Sequence, residues 1–155
     1  TTVEKMPLES FQGRGVVVDL RNIGRMPILA SDLEPYADKI QKDDVVLLYT
    51  GWAQKRSMSK EYLFEWPYIT KEAAEWLAQK EIRCVCIDGL SAGGWPEGTG
   101  APPHIVLLGA GIVIIEEVYM DERLFEEDEW YITGYPLKLQ GMGGSPCRVV
   151  ATVFE

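Results

Sequence analysis

Apolar and β-branched residues occur in short runs, separated by polar, glycine-rich or helix-forming segments. Four of these runs have the length and composition of β-strands and lie at 15–20, 45–49, 82–87 and 112–115. The run at 45–49 is apolar throughout, which is typical of a strand covered on both faces in a parallel sheet. Two more strands are predicted at 135–139 and 147–154, joined across a glycine-rich turn.

Three helices are predicted between the first four strands. Ser31 and Glu34 match a capping box, in which both side chains satisfy free backbone N–H groups at a helix start. Thr70 opens the second helix, and the prolines after Ala101 suit the first turn of the third. The segment 50–68 is predicted to be a long polar and aromatic loop.

The alternation of strand and helix predicts an α/β domain with right-handed crossovers. We expect one domain over residues 1–155, with a mixed, largely parallel sheet and flanking helices. The last two strands could extend this sheet antiparallel or form a second small sheet.

Charge and composition exclude several classes of partner. The 24 acidic and 15 basic residues give a net charge of −9, which repels nucleic acid and anionic membranes. The longest apolar run, 105–115, is far shorter than the ~20 residues of a membrane crossing, and no leader pattern opens the chain. Cys84 and Cys86 share one strand face and Cys147 lies in a predicted strand, so buried thiols and a cytoplasmic location are expected.

The candidate functional residues lie where the parallel strands end, because ligands usually bind at that edge of a sheet. Asp19, Thr50, Asp88 and Glu116 each follow one of the four strands. His104 lies in the first turn of the third helix, 12 positions before Glu116. The intervening helix and strand run in opposite directions, which predicts that Glu116 returns to His104.

An imidazole and a carboxylate at a sheet edge suit a divalent metal ion such as zinc. His104 is the chain's only histidine, and a zinc site needs three or four protein ligands. The others would be carboxylates, cysteines, a partner chain or residues outside these 155. An ordinary packed or capping histidine is the alternative interpretation.

Other segments have weaker functional interpretations. Trp52 and Trp95 lie in edge loops and are candidates, with Asp88, for a substrate pocket. The glycine-rich segment 91–100 lacks the ending of a phosphate-binding P-loop and is expected to be a flexible loop over a site. The acidic stretch 116–129 is interpreted as a solvated face that begins with Glu116.

Several motifs, in this order, resemble the metal-dependent cyclase and kynurenine formamidase family. They are GVVVDL at 15–20, DVVLLYTGW at 44–52, EAAEWL at 72–77, HIVLL at 104–108, GIVIIE at 111–116 and GSPCR at 144–148. The resemblance implies a swivelling β/β/α domain, a homo-oligomer, and hydrolysis of amide bonds beside aromatic or cyclic groups with one or two zinc or manganese ions. It also places two of the family's metal ligands on His104 and Glu116.

The chain departs from this family in one respect. The family's histidine-rich motif, which carries its main ligands, lies ahead of the segment that matches residues 1–20, and no such motif occurs here. The expectation is therefore that the natural polypeptide is longer, or that this is a degenerate relative. We predict a metal-dependent hydrolase of aryl formamides or cyclic amides, such as N-formylkynurenine of tryptophan catabolism. The alternative is an inactive relative that binds a small molecule or forms a structural oligomer.

Overall fold

A computed structural model describes residues 1–23 and 27–154 as one six-stranded mixed sheet in the order β4-β3-β2-β1-β5-β6. The strands are β1 (Gln12–Asp19), β2 (Val45–Tyr49), β3 (Cys84–Ile87), β4 (Val113–Ile115), β5 (Trp130–Thr133) and β6 (Val150–Thr152). Strands β1 to β4 are parallel, while β5 is antiparallel to β1 and β6 to β5. The α/β class and the largely parallel sheet are confirmed, and the final strands extend this sheet instead of forming a second one.

The helices are α1 (Ala30–Leu33), α2 (Lys60–Phe64), α3 (Lys71–Gln79) and α4 (Ala101–Gly109). Single 3-10 turns lie at Val3–Lys5, Leu8–Phe11, Glu34–Tyr36, Ala53–Lys55 and Glu122–Phe125. Thr70 caps α3 as predicted, because its hydroxyl accepts from the Ala73 N–H at 3.2 Å. Among the described residues no helix has the length and apolar character needed to cross a bilayer.

A core lies on each face of the sheet, which explains why β2 is buried at all five positions. One core packs Val46 and Leu48 of β2 against Leu77 of α3 and Leu107 of α4. The other packs Leu47 against Met120 and Leu124, which belong to the acidic stretch. That stretch is therefore only partly a solvated face, because its apolar residues cover the side of the sheet that the helices leave open.

The first predicted helix is shorter than expected and begins differently. Asp32, and not Ser31, forms the capping interaction, since its carboxylate accepts from the Leu29 N–H at 2.7 Å. Pro35 cannot donate a backbone hydrogen bond, so the chain changes from α1 to a 3-10 turn at Glu34. The segment 50–68 also contains the unpredicted helix α2, whose cap is Ser59.

The predicted strand at 135–139 is wrong. The structure instead has β5 at Trp130–Thr133, just ahead of the predicted range. Residues 135–139 contribute only an isolated bridge between Pro136 and Cys147. Proline has no N–H for a ladder, whereas the aromatic and β-branched residues of β5 suit a strand. The predicted strand 147–154 is correspondingly reduced to β6.

The cysteines divide into two environments. Cys84 and Cys86 are buried on one face of β3, as predicted, and both are free thiols. The neighbouring Cys86 thiol and burial raise the pKa of Cys84, which keeps it protonated. Cys147 is exposed and lies ahead of β6, so the prediction of a buried thiol within a strand is wrong for this residue.

Candidate functional site

The carboxyl ends of the four parallel strands gather the predicted residues at one edge of the sheet. Asp19 ends β1, and Thr50, Asp88 and Glu116 directly follow β2, β3 and β4. Their environments differ, because Asp88 is fully buried while the Asp19 and Glu116 side chains are 34% and 35% exposed. Asp19 forms an ion pair with Arg21 at 2.6 Å, which holds the pKa of the Asp19 carboxyl below its usual value.

His104 and Glu116 meet at this edge. His104 lies in the first turn of α4, and its Nε2 is 3.0 Å from Oε1 of Glu116, the first residue after β4. The contact agrees with the inference from chain direction, since α4 and β4 form a helix–strand return. The His104 side chain is 32% exposed, so the pair is open to solvent.

The hydrogen bonds around the imidazole fit either a doubly protonated ring or a neutral ring beside a cation. His104 Nδ1 lies 2.8 Å from the Gly100 carbonyl oxygen, which can only accept, so Nδ1 carries a proton. A neutral ring has one N–H, and its Nε2 lone pair then faces the Glu116 oxygen. Two such electron-rich atoms at 3.0 Å require a proton between them or a metal ion to one side that contacts both.

The Glu116 carboxylate is itself held by donors that the sequence interpretation did not identify. Oε1 accepts from the Ser91 hydroxyl and from the Ala92 N–H, both at 2.8 Å. Ser91 belongs to the glycine-rich segment 91–100, which was expected to be a flexible loop over a site. In the sequence, the glycines of this segment indicate only a loop, and they do not identify which hydrogen-bond donors face Glu116.

The nitrogen and oxygen donors of the pair fit a zinc or manganese ion, because both ions accept imidazole and carboxylate ligands. Within residues 1–23 and 27–154, however, no group of three or more His, Cys, Asp or Glu side chains is arranged to hold a metal. On their own, the described residues therefore do not make a complete metal site.

Asp88 supports a loop and does not face a pocket. Its buried Oδ2 accepts from the N–H groups of Thr50 and Trp52 at 3.1 and 3.0 Å, and its Oδ1 accepts from the Thr50 hydroxyl. Burial raises the pKa of the Asp88 carboxyl, and these hydrogen bonds offset only part of that effect. The prediction that Asp88 lines a substrate pocket does not agree with this placement.

The two candidate tryptophans lie in opposite environments. Trp52 is 1% exposed, stacks on Tyr62 and donates its indole N–H to the Tyr62 carbonyl at 3.2 Å. A ligand has no access to that ring, so the prediction of a pocket role for Trp52 is not supported. Trp95 is 63% exposed and packs on Phe64 with ring centroids 4.6 Å apart.

A groove of about 840 Å³ runs beside β4 and reaches Glu116. Its volume is within the range of small-molecule sites. Arg56, Tyr119 and Ser145 line it together with Glu116. Ser145 belongs to the GSPCR motif at 144–148, so this motif lies beside the same groove.

Several known proteins are similar to this chain. An uncharacterized protein from Methanocaldococcus jannaschii is 29% identical over 116 residues, which are 74% of this chain and 56% of that protein. The chain thus spans little more than half the length of this relative. The structure of a potential metal-dependent hydrolase with cyclase activity is 30% identical, with a TM-score of 0.81 over 97% of this chain and 70% of that one.

The fold is also that of isatin hydrolase A from Labrenzia aggregata, with a TM-score of 0.85, 24% identity, and coverage of 99% of this chain and 66% of that one. The family model described as "Putative cyclase" matches residues 1–93, which is more than half of the chain. His104 and Glu116 follow the matched part, so their role rests on geometry. The chain belongs to the cyclase family, whose fold it shares with metal-dependent hydrolases.

Proposed function

We propose that His104 and Glu116 are two ligands of a divalent metal ion in a metal-dependent hydrolase of amide bonds. The observation that carries this proposal is the 3.0 Å approach of His104 Nε2 to Glu116 Oε1 on a ring whose Nδ1 already faces a carbonyl oxygen. The similarity to a potential metal-dependent hydrolase with cyclase activity supports it. Zinc is our first choice of ion and manganese the second.

Each residue of the pair has a separate task in this proposal. The Gly100 carbonyl keeps the proton of His104 on Nδ1, so that the Nε2 lone pair is directed at the ion. Ser91 and Ala92 orient the Glu116 carboxylate and balance part of its charge. A bound ion would polarise the amide carbonyl and lower the pKa of a water molecule from ~15.7 toward ~7.

We propose aryl formamides and cyclic amides, such as N-formylkynurenine and isatin, as the substrate class. The similarity in fold to isatin hydrolase A supports this class. The groove beside Glu116 offers space for one aromatic ring system, with Arg56 and Ser145 as polar contacts. The exposed aromatic pair of Trp95 and Phe64 does not line this groove, so neither residue is assigned a substrate contact.

The proposal needs at least one further ligand, because a zinc site has three or four protein ligands. We propose that a histidine-rich motif like the family's, or a partner chain, supplies it. A homo-oligomer and a cytoplasmic location belong to the same proposal, and the buried free thiols of Cys84 and Cys86 support the location.

An inactive family member that binds a small molecule or forms a structural oligomer is the second candidate. One observation favours it: His104 is the only histidine, and the described residues hold no cluster of three metal-ligating side chains. Under this interpretation the His104–Glu116 contact is a hydrogen-bonded ion pair with no bound metal.

Metal content and turnover of the natural protein separate the two candidates. We expect bound zinc or manganese, and hydrolysis of N-formylkynurenine or isatin that a chelator abolishes and added metal restores. Metal-free protein without hydrolysis of either compound would support the inactive relative. Turnover that resists the chelator would contradict a metal-dependent mechanism.

Ser91→Ala is expected to weaken Zn²⁺ binding about tenfold, because a lost hydrogen bond to a metal ligand typically costs that much affinity. The ring signals of His104 in an NMR titration with Zn²⁺ report this binding without overlap, since the chain has one histidine. Ser57→Ala is the matched control, because the exposed Ser57 hydroxyl is hydrogen-bonded to the Ser59 hydroxyl and N–H and, among the described residues, not to His104 or Glu116. Equal affinities of the two variants would show that Ser91 does not support Glu116.

A further inference from the structure

Trp66 is attached to the loop that holds Glu116, although it lies 50 positions away from Glu116 in the chain. It belongs to the connection between α2 and α3 and is 8% exposed. Its indole N–H points between two carbonyl oxygens, those of Ser91 at 3.0 Å and of Gly93 at 2.9 Å. One rigid donor thus fixes both ends of the bend at residues 91–93.

This bend carries the donors of the metal-site carboxylate. Ser91 donates through its hydroxyl and Ala92 through its N–H to the same Glu116 oxygen. The Ser91 hydroxyl oxygen also accepts from the Gly93 N–H at 3.3 Å, which ties the side chain to the bend. A shift of the two carbonyl groups held by Trp66 would therefore move both donors to Glu116.

The same loop reaches His104 at its other end. A Cβ on Gly93 would lie 2.0 Å from the Gly100 oxygen, so only glycine permits this close approach. The Gly94 N–H donates to the Thr99 carbonyl at 3.3 Å and closes the loop. Gly100 is the residue whose carbonyl faces His104 Nδ1. The loop thus contacts Glu116 at residues 91–92 and His104 at residue 100.

We propose that Trp66 is a positioning residue of the His104–Glu116 pair, acting through loop 91–100. The metal-binding part of this inference rests on the proposed function, whereas the hydrogen-bond geometry does not. A buried indole suits the task, because it has two side-chain torsions and one fixed donor, and it is packed against Tyr62 and Trp52 in a small aromatic core. The Trp66 N–H is engaged by the Ser91 and Gly93 carbonyls, so the effect proposed for Trp66 is on the orientation of the loop.

Trp66→Phe tests the proposal, with Trp130→Phe as the matched control. Both variants remove an indole N–H bonded to a backbone carbonyl, but Trp130 donates to Leu124, far from loop 91–100 in the chain. Two quantities are measured: hydrogen exchange of the Ala92 N–H, and the Kd for Zn²⁺ from the His104 ring signals. In Trp66→Phe we expect about tenfold faster exchange of Ala92 and about tenfold weaker Zn²⁺ binding. Trp130→Phe should change neither value more than about twofold.

The two measurements separate this inference from the proposed function. If the wild-type His104 ring does not respond to Zn²⁺, the metal proposal fails, while Ala92 exchange still decides whether Trp66 holds the bend. Unchanged Ala92 exchange and Zn²⁺ affinity in Trp66→Phe would overturn the inference. If Trp66→Phe does not fold, hydrogen exchange of the Trp66 indole N–H in the wild-type protein takes its place, because a donor held by the Ser91 and Gly93 carbonyls exchanges slowly. Exchange as fast as that of the exposed Trp95 indole would equally overturn the inference.

Discussion

Glu116→Ala is expected to weaken Zn²⁺ binding by more than about 100-fold, since losing a direct ligand costs more than losing its hydrogen-bonded support. The His104 ring would keep its proton on Nδ1, because the Gly100 carbonyl at 2.8 Å is unaffected. NMR of the single histidine measures both effects. The result would distinguish a metal ligand from a carboxylate that merely pairs with the ring.

Glu117→Ala is the matched control for Glu116→Ala. It removes an equal charge from the next residue, which is 52% exposed and pairs with Arg56 at 3.4 Å. The Zn²⁺ affinity of Glu117→Ala should stay within about twofold of wild type.

In an active natural protein, His104→Ala should lower metal occupancy, as Glu116→Ala does. Unchanged occupancy and rate in that variant would reject His104 as a ligand.

Asp88→Ala is expected to destabilise the fold by about 3 kcal/mol, because the buried N–H groups of Thr50 and Trp52 and the Thr50 hydroxyl lose their shared acceptor. Urea unfolding measures the change. Asp19→Ala is the control from the end of β1, where the partly exposed ion pair with Arg21 contributes about 0–1 kcal/mol.

The penalty of Asp88→Ala should also depend on pH. Burial raises the pKa of Asp88 in the folded protein, so the folded state retains this proton at pH values where the unfolded state has lost it. The contribution of Asp88 to stability is therefore largest below the ordinary pKa near 3.8 and falls as the pH rises through the raised pKa. The difference in unfolding free energy between wild type and variant should shrink accordingly. A difference that grows with pH would show that the hydrogen bonds outweigh burial.

Local sequence patterns predicted helices and strands correctly where a segment has one clear signal, such as a continuous apolar run or a capping residue. The apolar run of β2 and the Thr70 cap of α3 are examples. The pattern failed at 135–139, where Pro136 interrupts an otherwise apolar segment, and at 50–68, where α2 is one short turn of helix. Short elements depend on their tertiary partners, because their own hydrogen bonds hardly offset the loss of backbone entropy.

The sequence also did not show which of the loop tryptophans are buried and which are exposed. Trp52 and Trp95 both lie in polar loops of the sequence, yet one is 1% and the other 63% exposed. The exposures differ because Tyr62 of α2 stacks on Trp52, and no local pattern predicted that helix. Asp88 was misplaced for the same reason, since the loop after β2 closes over it.

By itself, the sequence determined the α/β order of the domain and the meeting of His104 with Glu116. The order and the meeting both follow from which segments are helices or strands and in which direction each runs, and short-range periodicity indicates this. Only the tertiary structure decided that Ser91, Ala92 and Gly100 hold this pair, that Trp66 fixes their loop, and that Asp88 is buried. These contacts join residues far apart in the chain, and their distances depend on how whole elements pack, which no local pattern contains.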